Sequence, residues 1–390
     1  MILQKDVVIV GAGMVGLSLA LALHKKGLQV AVVEAKSTGS KALDQDRIET
    51  RVSAINHTSK RFLKELDVWD VIRSYRVSLY YKMQVWDDDL DEKISITAEE
   101  ISEHSLGCVV ENDAITTALL EKISQTGIEI FDNQKIREIQ RYQNIAKVIL
   151  EDKAIKTNLV VGADGANSFI RDYFNFETKV KPYGHTSIVA TLEFEKEHNQ
   201  TAYQRFYDKG VLAFLPLEDR HKVSIVWSVK TDYANYLISL KEQDFEKALV
   251  LASGNILGNT KLLSKRFSFE LLQRHAKSYI QDKVVLVGDA AHSIHPLAGQ
   301  GVNIGFKDVI SLTNVLGETF AKGRLLGAES TLDKYQRDRK LDNTKMIALM
   351  KTFKEVFGSD NEYLKKIRRL GLKFVDENSF IKRIIVKQAL

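Results

Sequence analysis

KVVLVGDAAHSIHPLAGQGVNIGFKD, residues 283–308, is the stretch on which the fold of this chain turns. Val284, Val285, Leu286 and Val287 form a short apolar run rich in β-branched residues that reads as a buried strand, ended by Gly288 and Asp289. A polar turn follows. Pro296 fixes φ where the backbone must not continue as a helix, and Gly299 and Gly301 bare the main chain so that a flat or anionic ligand can reach its N–H groups. From about Val302, the spacing of Ile304, Phe306, Val309 and Ile310 fits a buried helix whose first turn faces that ligand. A helix start carries partial positive charge. Asp289, at the carboxyl end of the strand, is placed to accept hydrogen bonds from a polyol chain.

The amino-terminal end repeats this logic. Residues 6–10 read as a strand, and Gly11-Ala12-Gly13-Met14-Val15-Gly16 turns it into a helix reaching about Lys26. In Gly-x-Gly-x-x-Gly the first glycine makes the turn, the second admits a pyrophosphate, and the third lets helix and strand pack closely. A second strand, 29–33, ends at Glu34, followed by Ala35, where a carboxylate can bind the hydroxyls of an adenosine ribose. Strand, helix, strand and terminal acid together indicate dinucleotide binding, without choosing FAD over NAD. A third nucleotide-type segment, 159–168, is a buried strand, a tight turn at Asp164-Gly165 and a capped helix, with Arg171 just beyond. Only one Gly-x-Gly-x-x-Gly occurs, so one dinucleotide is held tightly and any nicotinamide donor visits transiently.

His295-Pro296-Leu297-Ala298-Gly299-Gln300-Gly301, followed by Asn303, Gly305 and Asp308, resembles the signature of the flavin-dependent hydroxylases of ubiquinone biosynthesis. The resemblance spans essentially the whole chain. It implies an α/β fold, α+β overall: a Rossmann-like FAD-binding domain of the aromatic hydroxylase type, an antiparallel β-sheet substrate domain and C-terminal helices. The FAD-binding domain is then expected in three parts, 1–75, 101–180 and 271–345, with a substrate-domain insertion at 76–100, a substrate-binding sheet at 181–270 and a basic helical region at 346–390.

The same resemblance assigns residues. Gly11, Ala12, Gly13, Gly16, Glu34 and Ala35 would hold the adenosine and pyrophosphate of FAD, and Asp289 the ribityl chain. Pro296, Gly299, Gln300, Gly301, Val302 and Asn303 would surround the isoalloxazine, where the helix start favours the charge of the reduced ring. Asp164 resembles the acid of the Asp-Gly motif that helps hold FAD and influences access of the nicotinamide donor. Arg51, in Arg51-Val52-Ser53-Ala54-Ile55-Asn56, would lie beside the flavin; the alternative is a surface arginine capping the helix at about 59–66. Asn112 would lie near the flavin, or serve with Asp113 as a plain N-cap region for the helix 113–126. His295 belongs to the family string, which favours a role in loop structure over proton transfer. His292 sits three residues earlier, with no carboxylate partner evident in the sequence.

Between 181 and 269 the chain alternates and is rich in aromatics, with strands expected at 186–192, 201–207, 211–215 and 223–229 and a helix near 245–252. Phe214, Pro216 and Trp227, with His295, are candidates to line an apolar substrate pocket; ordinary core is the alternative for the first three. Residues 86–92, WDDDLDE, read as a solvated hairpin tip.

With 390 residues, 44% of them hydrophobic, the chain can bury a large core divided between two closely associated domains. Its net charge of +5 argues for neither nucleic acid nor membrane. Residues 345–390 carry eleven Lys or Arg against five Asp or Glu, so the remainder is close to neutral. Amphipathic stripes there, Met346, Met350, Phe353 and Phe357, then Tyr363, Ile367, Leu370 and Phe374, fit helices that lie on anionic lipid, dock other ubiquinone-biosynthesis proteins, or close the fold. Cys108 is the single cysteine, which excludes an internal disulfide and suits a reducing cytoplasm as a small buried hydrophobe. No signal peptide or membrane-spanning run stands out, so a cytoplasmic protein, peripheral at most to the inner membrane, is expected. No hydrolase triad spacing and no metal-ligand cluster is present, and no general base is assigned.

The expected activity is that of an FAD-dependent monooxygenase that uses NAD(P)H and O2 to hydroxylate an electron-rich phenol ring. Segments 51–56, 212–217, 224–228 and 350–373 are most similar to the branch acting at C5 of a polyprenylphenol; neighbouring branches act at C1 or C6. Hydroxylation of another aromatic, prenyl reduction, and a non-catalytic lipid carrier on the same fold are the rivals.

Overall fold

The computed structural model describes residues 2–39, 48–87, 93–293 and 301–357, with side chains to residue 345. A mostly parallel sheet organises the first body, in the order Ile280–Gln281, Val284–Leu286, Ala154–Gly162, Ile2–Val10, Val30–Val33, Glu129–Phe131. The pairings among its last five strands are all parallel. Such strands are covered on both faces and therefore read as apolar runs: Val7, Val8 and Ile9, then Leu159, Val160 and Val161, are fully buried. Helix Met14–Lys25 lies on this sheet, packed between helices Asn112–Ser124 and Gly301–Ala321. Burial of Leu17, Leu19, Leu21 and Leu23 around most of its circumference explains why its sequence lacks a clean polar stripe.

The second body is a larger sheet in the order His292–Ser293, Phe267–Ala276, Thr178–Phe194, Lys222–Lys230, Gly210–Pro216, Thr201–Tyr207, Lys82–Asp87, Lys93–Thr97. The two strands flanking the expected hairpin tip thus join this sheet, the first of them parallel to Thr201–Tyr207; residues 88–92 lie outside the described residues. The strands Thr178–Phe194 and Phe267–Ala276 of this sheet run across the expected limits at 180 and 270. Pro182 and Gly184 mark a bulge between them, where the register shifts.

Alternation along these strands sends side chains two ways. Ile188, Ala190, Leu192, Ile225, Trp227, Leu212 and Phe214 form one core with Phe245 and Leu249 of helix Glu242–Ala252 and Leu237 of helix Thr231–Ser239. That second helix was not expected from the sequence. From the opposite face Leu215, Leu217 and the partly buried Val226 join Ala54, Tyr80 and Val109, which belong to a three-stranded sheet of Val52–Ile55, Gly107–Glu111 and Val77–Tyr80. This small sheet is the layer between the two bodies.

Cys108 lies in it, fully buried, and burial pushes its thiol up to about 12. The C-terminal helix Glu329–Phe357 packs on helix Gly301–Ala321. It carries Met346, Met350, Phe353 and Phe357 in its last turns. No described helix is long and apolar enough to cross a membrane.

Candidate functional site

The first glycine motif adopts the geometry its spacing demands. Gly11 has φ +108°, and a Cβ there would stand 2.5 Å from the Ala163 carbonyl oxygen. A Cβ on Gly16 would stand 2.0 Å from the Gly11 carbonyl oxygen, so the third glycine is required by the packing of helix on strand. Gly13 differs. A Cβ there would meet no atom of the described residues within 4 Å, so nothing in the described fold requires glycine at this position. Gly13 is the N-cap of helix Met14–Lys25, whose first turn contains no acid and has no side-chain cap. Exposed N–H groups and uncompensated positive charge suit an anion.

Around that helix start opens a cleft of about 1040 Å³, lined by Gly11, Ala12, Gly13, Glu34, Ala35, Arg51 and the turn 163–167, with Asp113, Thr116 and Thr117 on one side. Glu34 ends its strand here. Its carboxylate accepts hydrogen bonds from the Ala12 amide at 2.8 Å and the Lys36 amide at 3.0 Å, which fixes it at the cleft wall. Opposite, Asp164 accepts from the Ser168 hydroxyl at 2.5 Å and the Ile170 amide at 3.1 Å. Burial pushes the Asp164 carboxyl up, and these two donors offset only part of that. Ser168 also caps helix Phe169–Tyr173, accepting from the Arg171 amide at 3.0 Å. The buried Arg171 guanidinium donates to the carbonyls of Ala166 at 3.0 Å and Ala290 at 3.4 Å, tying this turn to the one that follows strand Val284–Leu286.

That turn, Gly288–Ala290, is a short 3-10 helix rather than plain loop, and leads into the short strand His292–Ser293. Asp289 lies on it; desolvation by the surrounding protein pushes its carboxyl up, Asp308 adds to this, and His292 and Arg51 offset only part of it. Val15 of the first motif packs where side chains on Gly288 and Gly305 would stand, at 3.3 Å and 2.6 Å, so the first and last motifs are in contact. Arg51 is exposed in the cleft and lies before, not within, the cap of helix His57–Glu65; Asn56 caps that helix by accepting from the Ser59 amide.

Asn112 opens its helix with Glu111 as the N-cap. Its side chain accepts from the Ser53 hydroxyl at 2.7 Å and its amide donates to the Arg51 carbonyl at 3.0 Å, so it holds the Arg51 strand instead of capping. Asn303 is buried, its amide donating to the Ala54 carbonyl at 2.7 Å and accepting from the Asn56 amide at 3.2 Å. It fastens the helix that Gly301 begins to the same strand, while Val302 packs against the main core. His295, Pro296, Gly299 and Gln300 lie outside the described residues.

The pocket expected of Phe214 and Trp227 gives way to a core. Both are fully buried on the helix-covered face of the large sheet, with ring centroids 5.5 Å from Phe194 and 5.6 Å from Phe245 respectively, and the Trp227 indole donates to the Tyr207 hydroxyl at 2.6 Å. The period of two that places them there sends Leu215 and Val226 toward Ala54 and the cofactor body. Pro216 is buried at the end of the same strand.

Two features escaped sequence reasoning. Gln134 follows strand Glu129–Phe131 and lines the cleft, with its side-chain oxygen buried and lacking a hydrogen-bond partner among the described residues. Its place just past the carboxyl end of a parallel strand was the available signal. The second is the carboxylate partner of His292: Asp308, at 2.6 Å, sixteen residues on in the chain. An open Gly13, an unneutralised helix start and an orphaned acceptor beside Glu34 fit a bound dinucleotide diphosphate, and FAD is such a molecule.

A family model described as an FAD binding domain matches residues 4–349. Ubiquinone biosynthesis monooxygenase COQ6 of Xenopus tropicalis is 30% identical over 432 residues, covering 98% of this chain and 92% of that protein. The 3-demethoxyubiquinol 3-hydroxylase of Escherichia coli K12 is 31% identical over 387 residues, covering 99% and 98%. Among solved structures, p-nitrophenol 4-monooxygenase PnpA of Pseudomonas putida DLL-E4 superposes with a TM-score of 0.81 at 18% identity, covering 100% of this chain and 99% of that one.

Proposed function

Because the chain belongs to the FAD-binding-domain family and, within it, to the flavin-dependent ubiquinone hydroxylases, we propose that it hydroxylates C5 of the ring of a polyprenylphenol, with NAD(P)H as electron donor and O2 as oxygen source. The observation that carries this reading is the single cleft in which Gly11, Gly13, Glu34, Arg51 and Asp164 meet. Bound FAD supplies the redox and oxygen-transfer chemistry; the residues of the chain bind it, orient it and keep water away. The helix start at Gly13 holds the diphosphate, Glu34 the ribose hydroxyls and Asp289 the ribityl chain. Arg51 lies beside the ring. Asn112 and Asn303 hold the Arg51 strand, and Gly301 with Val302 starts the helix that faces the ring.

Ala54, Leu215 and Val226 pack into an apolar seam on the side of the large sheet that faces the FAD-binding body, and dry surroundings of this kind would limit loss of the activated oxygen to water. Proton transfer is assigned to no side chain. The preference for C5 rests on the likeness of segments 51–56, 212–217, 224–228 and 350–373 to that branch; the two relatives above are nearly equal in identity and do not separate the ring positions. The basic region after residue 345 is proposed to meet the membrane surface or other proteins of the pathway.

Quinone precursors in cells lacking this protein test the assignment. Accumulation of a precursor without the C5 oxygen supports it. A precursor missing the C1 or C6 oxygen moves the reaction to that position, and unchanged ubiquinone with no precursor rejects the reading.

A further inference from the structure

One carboxylate fastens the segment that carries the last motif. Asp308, on helix Gly301–Ala321 and fully buried, accepts at Oδ2 from the Gly288 amide at 2.9 Å and contacts His292 Nε2 at 2.6 Å. It thereby holds both ends of the turn bearing Asp289.

The other oxygen belongs to a different element. Arg339, on the C-terminal helix, donates from Nε to Asp308 Oδ1 at 2.8 Å and is itself 3% exposed. Its remaining nitrogens reach Asp342 at 2.8 Å and Asn343 at 3.2 Å, and Asn343 in turn donates to the Tyr279 hydroxyl at 3.2 Å. A buried charge is tolerated only when paired and hydrogen-bonded, so losing one partner leaves the others uncompensated. None of Asp308, His292 and Arg339 lines the cleft.

We propose that Asp308, His292 and Arg339 are positioning residues for the flavin: from beneath, they set the turn that presents Asp289, and so make the C-terminal helix part of the cofactor site. This rests on the functional reading above for the identity of the cofactor and not for the ring position oxidised.

The test uses the full chain with Arg339→Met, Arg339→Lys, His292→Ala and His292→Gln, the glutamine keeping a donor for Asp308. FAD dissociation constants, the visible circular dichroism of bound flavin, and thermal midpoints are measured, then H2O2 released per NAD(P)H at saturating FAD with a short-tailed prenylphenol. Arg339→Met and His292→Ala are expected to weaken FAD at least tenfold, alter the flavin dichroism and raise H2O2 release, with Lys and Gln recovering most of each. Variants that melt earlier but, once saturated with FAD, match wild type in affinity, dichroism and coupling overturn the proposal. Should Arg339→Met not fold, the His292 pair decides: equal behaviour of Ala and Gln is the refuting result. A wild-type protein that binds FAD but hydroxylates no prenylphenol fails the functional reading alone, since affinity and dichroism still decide this one.

Discussion

Replacing Gly13 by alanine separates a glycine that the fold needs from one that a ligand needs. The backbone there, φ −80° and ψ 179°, is open to any residue, and the added Cβ would meet no atom of the described residues within 4 Å. Loss of glycine at an N-cap costs about 1 kcal/mol or less, so the apoprotein should fold normally. The methyl group nevertheless occupies the space in front of the helix start where a diphosphate must come close. Displacing one charge-assisted hydrogen bond is worth roughly 1.5–3 kcal/mol, about ten- to a hundredfold in affinity. Fluorescence titration of the apoprotein with FAD, beside a thermal melt, reads both quantities. Gly16→Ala is the contrast: with the Gly11 oxygen 2.0 Å from its new Cβ, it should lose the fold itself. A Gly13→Ala protein that binds FAD as tightly as wild type, or that unfolds as badly as Gly16→Ala, refutes the reasoning.

Phe214→Ala should act as a core mutation, lowering stability by about 3–5 kcal/mol in chemical denaturation while leaving the KM for a prenylphenol near wild type in whatever protein remains folded; a selective rise in KM would return Phe214 to the substrate pocket. Acid should destabilise the protein through His275, whose imidazole burial, with His292, Lys340 and Lys179 nearby, pushes down to about 4. The unfolded chain then binds the extra proton first, so stability is complete above the ordinary histidine range and falls by up to roughly 3 kcal/mol as pH drops toward about 4. Asp308 works in the same direction: burial raises its carboxyl, but His292 and Arg339 outweigh that and hold it low, so its contribution is lost in stronger acid. Melting curves across this range should flatten in His275→Gln, and an unchanged slope contradicts the assignment.

The cofactor body was legible because its chemistry is local. Gly11 to Gly16 and Glu34 announce themselves by spacing, since turn, phosphate approach and close packing each constrain a residue within a short window. Asp164 and Ser168 are readable for the same reason. Phe214 and Trp227 were harder: an alternating pattern fixes that two faces exist but not which one meets helices Thr231–Ser239 and Glu242–Ala252. The Asp308 cluster was not legible at all. Its members come from positions 288, 292, 308 and 339, brought together by packing of one helix on another, and no periodicity links them. Asn112 and Asn303 show a further limit, since a polar residue in a cofactor motif can serve the strand beside the ligand.

Isotopically labelled dioxygen puts the central claim to the most direct test. Purified protein loaded with FAD and given NAD(P)H, a short-tailed 2-prenylphenol and labelled O2 should yield a ring-hydroxylated product carrying one labelled oxygen, with no product when FAD is withheld. Oxidation of NAD(P)H to H2O2 alone under every condition, or a product whose new oxygen comes from water, would contradict it.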